Sequence, residues 1–176
     1  MSPDFSYLNA EALRTRQVLA AHFMRGCCHV LEIGGGENPI SNHVHGVARV
    51  TVVDPVIRPL VAVRHLPEGG MLDVRHVAMR IEDYEPDEPA DGLVMLGFEG
   101  EGHCDLDVVC RLIEQAAVTV IEASSNHAPA VRAIGRILLK EIHPVAVHLH
   151  TTYRGAGVPE GHAFCARNFY VLRRSP

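Results

Sequence analysis

Three consecutive glycines, Gly34, Gly35 and Gly36, follow the short apolar run HVLEI and stand just ahead of Glu37-Asn38-Pro39. A backbone this bare lets a ligand touch the main chain and permits positive φ. Glu32 precedes the glycines by two residues, and a second acid, Asp54, closes the next apolar run, RVTVVD. A carboxylate at that strand end accepts the two hydroxyl hydrogens of a ribose. The bland alternatives are a tight turn at the glycines and a helix cap at Asp54.

The type of adenosine ligand follows from what surrounds the glycines. A dinucleotide turn reads G-x-G-x-x-G, with a third glycine for close packing and a helix N-terminus aimed at pyrophosphate. Here the third glycine is missing and Glu37 stands where the anion would lie. Glu37 repels a pyrophosphate, and Glu32 beside it suits an ammonium or a sulfonium. The turn therefore points to S-adenosyl-L-methionine rather than to NAD.

A reacting end is expected further on, in LGFEGEGHCD (96–105), where Glu99, Glu101 and His103 follow a strand end. Glu99 or His103 would serve as the catalytic base, deprotonating an acceptor hydroxyl or amine. The competing reading is a polar loop before a helix capped by Asp105. His148 and His150, with Tyr153 and Arg154, and the segment Ser124-Ser125-Asn126-His127 are candidates for the acceptor side. Two His-x-His pairs, His43/His45 and His148/His150, each share a strand face, but a metal site wants three or four ligands, so none is expected. No G-x-S-x-G elbow is present, which excludes that type of hydrolase.

The elements that must position these residues come from the apolar periodicity. A helix is expected over 8–23 and strands at 29–33, 49–54, 73–80, 92–98 and 118–124, with helices near 106–117 and 129–140. A helix is also expected around 56–64, interrupted by Pro59. Two extended runs, 143–153 and 164–174, end the chain with no helix between them. Strands alternating with helices imply an α/β three-layer sandwich around a mostly parallel, seven-stranded, Rossmann-like sheet with a terminal antiparallel strand. Residues 1–28 would form an N-terminal helical segment covering the site, and 29–176 the binding domain.

Composition limits the setting. With 176 residues, 47% of them hydrophobic, the chain can close one core without staples. Five cysteines, two of them adjacent, do not form a disulfide ladder. A formal charge of −5 gives no general attraction to nucleic acid or an anionic membrane. No secretory signal or span-length apolar run occurs, so a soluble, cytoplasmic protein is expected. Little chain is left for a recognition domain, so either the acceptor is a small molecule or a second subunit of a homo-oligomer completes the pocket.

VLEIGGGENP and VTVVDP together resemble the class I S-adenosylmethionine-dependent methyltransferases, with their E-x-G-x-G turn and second-strand acid. The order of elements from residue 29 to 174 fits that family. The resemblance implies that Glu32 positions the amino-acid end of the cofactor, that Gly34, Gly35 and Gly36 pass close to it, and that Asp54 holds the ribose. It further implies that Ile81, Glu82 and Asp83 flank the adenine and that Leu96, Gly97 and Phe98 border the sulfonium and the acceptor. Taken alone, Glu82 and Asp83 read equally well as solvated surface. The chain departs from the family's subgroups in lacking both D/N-P-P-Y/F and a proline-cysteine after the fourth strand. The expected activity is methyl transfer to a small molecule. The alternatives are attack on the aminobutyryl group, releasing methylthioadenosine, and a non-catalytic binding module.

Overall fold

The computed structural model describes residues 10–36, 38–100, 104–124, 127–139, 145–152 and 166–174. The first element is α1 (Ala10–Phe23), followed by β1 (His29–Ile33), a one-turn helix at Ile40–Asn42 and β2 (Arg49–Val53). Next come β3 (Leu60–His65), β4 (Met71–Val77), a second one-turn helix at Ile81–Asp83 and β5 (Gly92–Leu96). The chain continues through α2 (Leu106–Gln115), β6 (Val118–Ser124), α3 (Ala128–Leu139), β7 (Val145–Thr152) and β8 (Ala166–Arg173).

The strands form one sheet in the order β3-β4-β2-β1-β5-β6-β8-β7. The five strands from β4 to β6 are mutually parallel; β3 pairs antiparallel with β4, and β8 runs antiparallel between β6 and β7. Successive side chains of each central strand enter different cores. Val30, Val50, Val52 and Val94 meet Ala20 and Ala21 of α1 and Met24 just beyond it on one face. Leu31, Val53, Leu93 and Met95 meet Val109, Ile113 and Ile134 of α2 and α3 on the other. Strands covered on both sides read as nearly continuous apolar runs, which is how β1, β2 and β5 read. No described helix is long and apolar enough to cross a membrane.

All seven expected strands are present, and an eighth joins them. The helix expected around 56–64 does not form; Leu60–His65 is the edge strand β3, turned back into β4 at Gly69-Gly70. The alternation in Leu60-Val61-Ala62-Val63, rich in β-branched residues just after Pro59, outweighs the weak helical spacing. Strand β4 lies at 71–77 rather than 73–80, since Met71 and Leu72 complete the hairpin register. Strand β5 stops at Leu96 because Gly97 turns away with φ of 73°. Asp105 caps α2, its side chain accepting the Asp107 N–H at 2.8 Å.

Candidate functional site

Strand order reverses at β1, which pairs with β2 on one side and β5 on the other. In open parallel sheets a crevice opens beyond the carboxyl ends of the strands at such a point. The residues singled out in the sequence converge there: the glycine turn after β1, Asp54 after β2, Ile81 and Glu82 after β4, and Gly97 after β5.

Hydrogen bonding closes the glycine turn from inside. Gly34, at φ of 77°, donates its N–H to Val53 O at 2.9 Å, and Gly36, at φ of 55°, donates to Asp54 Oδ2 at 3.0 Å. Gly35 is glycine for space: a Cβ there would run into Val52 Cγ1 and lie 3.1 Å from Pro39 Cβ and 3.2 Å from Glu32 Cδ. Asp54 Oδ1 also accepts the Val56 N–H at 2.8 Å, so this buried carboxylate ties the turn after β1 to the turn after β2. Between the glycines and β2 the only described helix is the single turn Ile40–Asn42. Two of the three glycine N–H groups are thus spent within the protein, and among the described residues no long helix aims its N-terminus at the turn. A pyrophosphate needs both.

Glu32 is 1% exposed, and its Oε2 accepts the Ile40 N–H at 2.8 Å, which clamps the far end of the loop. Burial pushes its carboxyl up to about 8, Asp54 adds to the rise, and the Ile40 N–H opposes it. Burial thus favours the protonated carboxyl over the carboxylate and opposes the negative charge expected of Glu32. Glu37 lies outside the described residues.

Ile81 is buried in the core under α2. Glu82 accepts the Asp105 N–H at 2.7 Å and pairs with Arg80 at 3.3 Å. Burial opposes its ionisation, but hydrogen bonds from its own amide, from Asp105 and from Arg80 outweigh it and hold the carboxyl below its ordinary range. Glu82 thus joins the turn after β4 to the start of α2. Leu96 is partly buried against the α1-side core, and Glu99 is half-buried beyond Gly97. His103, Glu101, Ser125, Asn126, Tyr153 and Arg154 lie outside the described residues.

The histidine pairs are exposed or partly exposed. His148 stacks on Tyr170 at 4.6 Å, and both His148 and His150 reach Asn168 Oδ1, at 3.3 and 2.8 Å. Both are exposed on the α2/α3 side of the sheet, the side to which Tyr170 packs. His45 Nδ1 lies 3.2 Å from the Glu68 carboxyl on the surface. Among the described residues no three His, Cys, Asp or Glu side chains cluster as metal ligands.

A buried ionic cluster, not anticipated from the sequence, lies at the carboxyl end of β6. Glu122 has no exposed side-chain surface; its Oε2 accepts Arg16 Nη2 at 2.7 Å and the Gly97 N–H at 2.6 Å. Its Oε1 lies 3.2 Å from Arg167 Nε, an ion pair too poorly aligned to be a hydrogen bond. An acid inside the otherwise apolar strand VTVIEAS is a readable signal, since a buried charge requires a partner. Arg16, 106 positions away, is not readable from the sequence.

No protein-family model matches the chain, and no curated protein matches it. Solved structures do. The N-methyltransferase NodS from Bradyrhizobium japonicum WM9, in complex with S-adenosyl-L-homocysteine, superposes with a TM-score of 0.68 at 14% identity, covering 99% of this chain and 94% of that one. The 1,6-didemethyltoxoflavin-N1-methyltransferase of Burkholderia thailandensis gives 0.61 at 18% identity, covering 98% and 82%. A putative RNA methyltransferase from Pyrococcus horikoshii, PH1948, gives 0.61 at 16% identity, covering 100% and 93%. The chain has the class I methyltransferase fold.

Proposed function

We propose that this chain is an S-adenosyl-L-methionine-dependent methyltransferase acting on a small-molecule acceptor. The observation that carries the reading is the coupling of the glycine turn to Asp54, in a loop with little left to offer a pyrophosphate. A carboxylate has about four lone-pair positions. Backbone N–H groups occupy one on each Asp54 oxygen, so the other two can take the 2′- and 3′-hydroxyl hydrogens. The close approach at Gly35 keeps the turn narrow beside Glu32, where the amino-acid end of the cofactor would lie.

When bound, the cofactor supplies a methyl group already activated by its sulfonium, and transfer then depends chiefly on alignment. The residues around Gly97 border that position, with Glu99 in reach of the same rim as the candidate base and His103 beside it in the sequence. NodS and the toxoflavin enzyme, both methyltransferases of similar fold, support the reading. The acidic charge of the chain favours a small acceptor over the RNA named for PH1948.

Calorimetry with S-adenosylhomocysteine tests the cofactor. The wild type binds it and does not bind NAD. Asp54→Asn, which weakens charge-assisted bonds to the ribose, loses about 1.5–3 kcal/mol, on the order of 10- to 150-fold. Tight NAD binding without S-adenosylhomocysteine binding overturns the proposal. Incubation with S-adenosylmethionine and a metabolite extract, followed by mass identification of the nucleoside product, tests the reaction. S-adenosylhomocysteine supports methyl transfer, whereas methylthioadenosine moves the chain to aminobutyryl chemistry.

A further inference from the structure

Helix α1 runs antiparallel to β5. Its C-terminal flank, Met24, lies against Gly92 at the start of that strand, and Arg16 lies 3.6 Å from where a Gly97 Cβ would sit just past its end. At 1.5 Å per residue, residues 10–15 carry the helix about 9 Å beyond Arg16, toward and past the carboxyl rim of the sheet. Two adjacent side chains fix the helix at the point where it crosses that rim. Gln17 exchanges amide hydrogen bonds with Asn38, just after the glycine turn, through its Nε2 to Asn38 O and its Oε1 from Asn38 Nδ2 at 2.7 Å. Arg16 reaches the other half of the crevice and ends on Glu122.

Glu122 does more than neutralise Arg16. The same oxygen, Oε2, receives Arg16 Nη2 and the Gly97 N–H, while the Glu122 main-chain carbonyl receives the Phe98 N–H at 2.8 Å. One residue therefore sets both the helix that crosses the rim and the turn that borders the reacting position. Removing both charged groups from water is costly, and apolar pairs often replace buried ion pairs without loss of stability. Packing alone does not account for a polar anchor here.

We propose that Glu122 and Arg16 are positioning residues that latch α1 over the methionyl end of the cofactor site and orient the Gly97 turn beneath it. The inference rests on the cofactor reading above. Neither residue is assigned a catalytic step. Their effect falls on the part of the ligand that lies between α1 and Gly97, the homocysteinyl arm, and not on the adenosine held at Asp54.

The test compares the affinities of S-adenosylhomocysteine and adenosine for the wild type, Arg16→Met, Arg16→Lys and Glu122→Gln. Arg16→Met keeps the buried stem and removes the charge, while Arg167 still faces Glu122. A latch predicts at least a tenfold loss of S-adenosylhomocysteine affinity in Arg16→Met and Glu122→Gln. Adenosine affinity stays within about threefold, and Arg16→Lys recovers most of the loss. A purely structural role moves both ligands together or neither, and an unchanged ratio overturns the proposal. Hydrogen exchange separates this from failure of the cofactor reading. If the wild type binds neither nucleoside, that reading fails, and the amides of 10–23 and 97–100 then test only the anchoring of α1 to the Gly97 turn. At least tenfold faster exchange there in Arg16→Met, with 106–115 unchanged, supports it; equal exchange refutes it.

Discussion

Glu32 carries the sharpest residue-scale consequence. Its carboxyl sits near 8 in the folded chain and in the ordinary carboxylate range when unfolded. Between those values the folded state holds a proton that the unfolded state has lost, so stability falls as pH rises from about 5 through about 8. Denaturant titrations across that range should show the decline in the wild type and a flatter profile in Glu32→Gln, whose amide oxygen still accepts the Ile40 N–H. A cationic cofactor favours the ionised form, so its binding should release protons near neutral pH, measurable as calorimetric heats that depend on buffer ionisation enthalpy. Equal heats in all buffers would remove Glu32 from the binding equilibrium. At Gly35 the constraint is steric. Gly35→Ala forces a methyl into Val52 and should cost about 1–3 kcal/mol in thermal or chemical melts, with cofactor affinity lost as well.

At the scale of elements, the sequence showed what is periodic and local. The parallel strands, both amphipathic helices α2 and α3 and the Asp105 cap were all legible, because each depends on neighbours in the chain. The glycine turn and Asp54 were legible as a pair by type and spacing, and the Gly36 N–H to Asp54 bond joins them. The β3 hairpin was not, because Val61 and Val63 fit a weak helix nearly as well as a strand until β4 supplies the register. The Arg16–Glu122 link and the internal use of the glycine N–H groups were invisible, since both depend on how distant segments meet. The hairpin also divides its residues by face. Val61 and Val63 are exposed whereas Leu72 is buried. Val61→Thr should therefore change stability by no more than about 0.5 kcal/mol, while Leu72→Ala should cost about 2–5 kcal/mol, a contrast that paired denaturant melts can read.

For the whole molecule, the two cores lie on opposite faces of one sheet and share its strands, so a ligand at the carboxyl rim should stabilise both together. At a hundredfold excess over Kd, a single-site ligand adds about 2.7 kcal/mol. For a chain of this size that is a rise of roughly 5–10 °C in Tm, expected with S-adenosylhomocysteine and not with NAD in a thermal scan. The order of the sheet also bears on synthesis. Strand β8, last of the eight, lies between β6 and β7, and it brings Arg167 to Glu122. A nascent polypeptide halted before residue 166 would leave β7 without its neighbour and β6 with an open flank. Completion of the fold must therefore wait for the C-terminal segment to clear the ribosome, and until then the exposed flank of β6 is a surface for chaperones to cover.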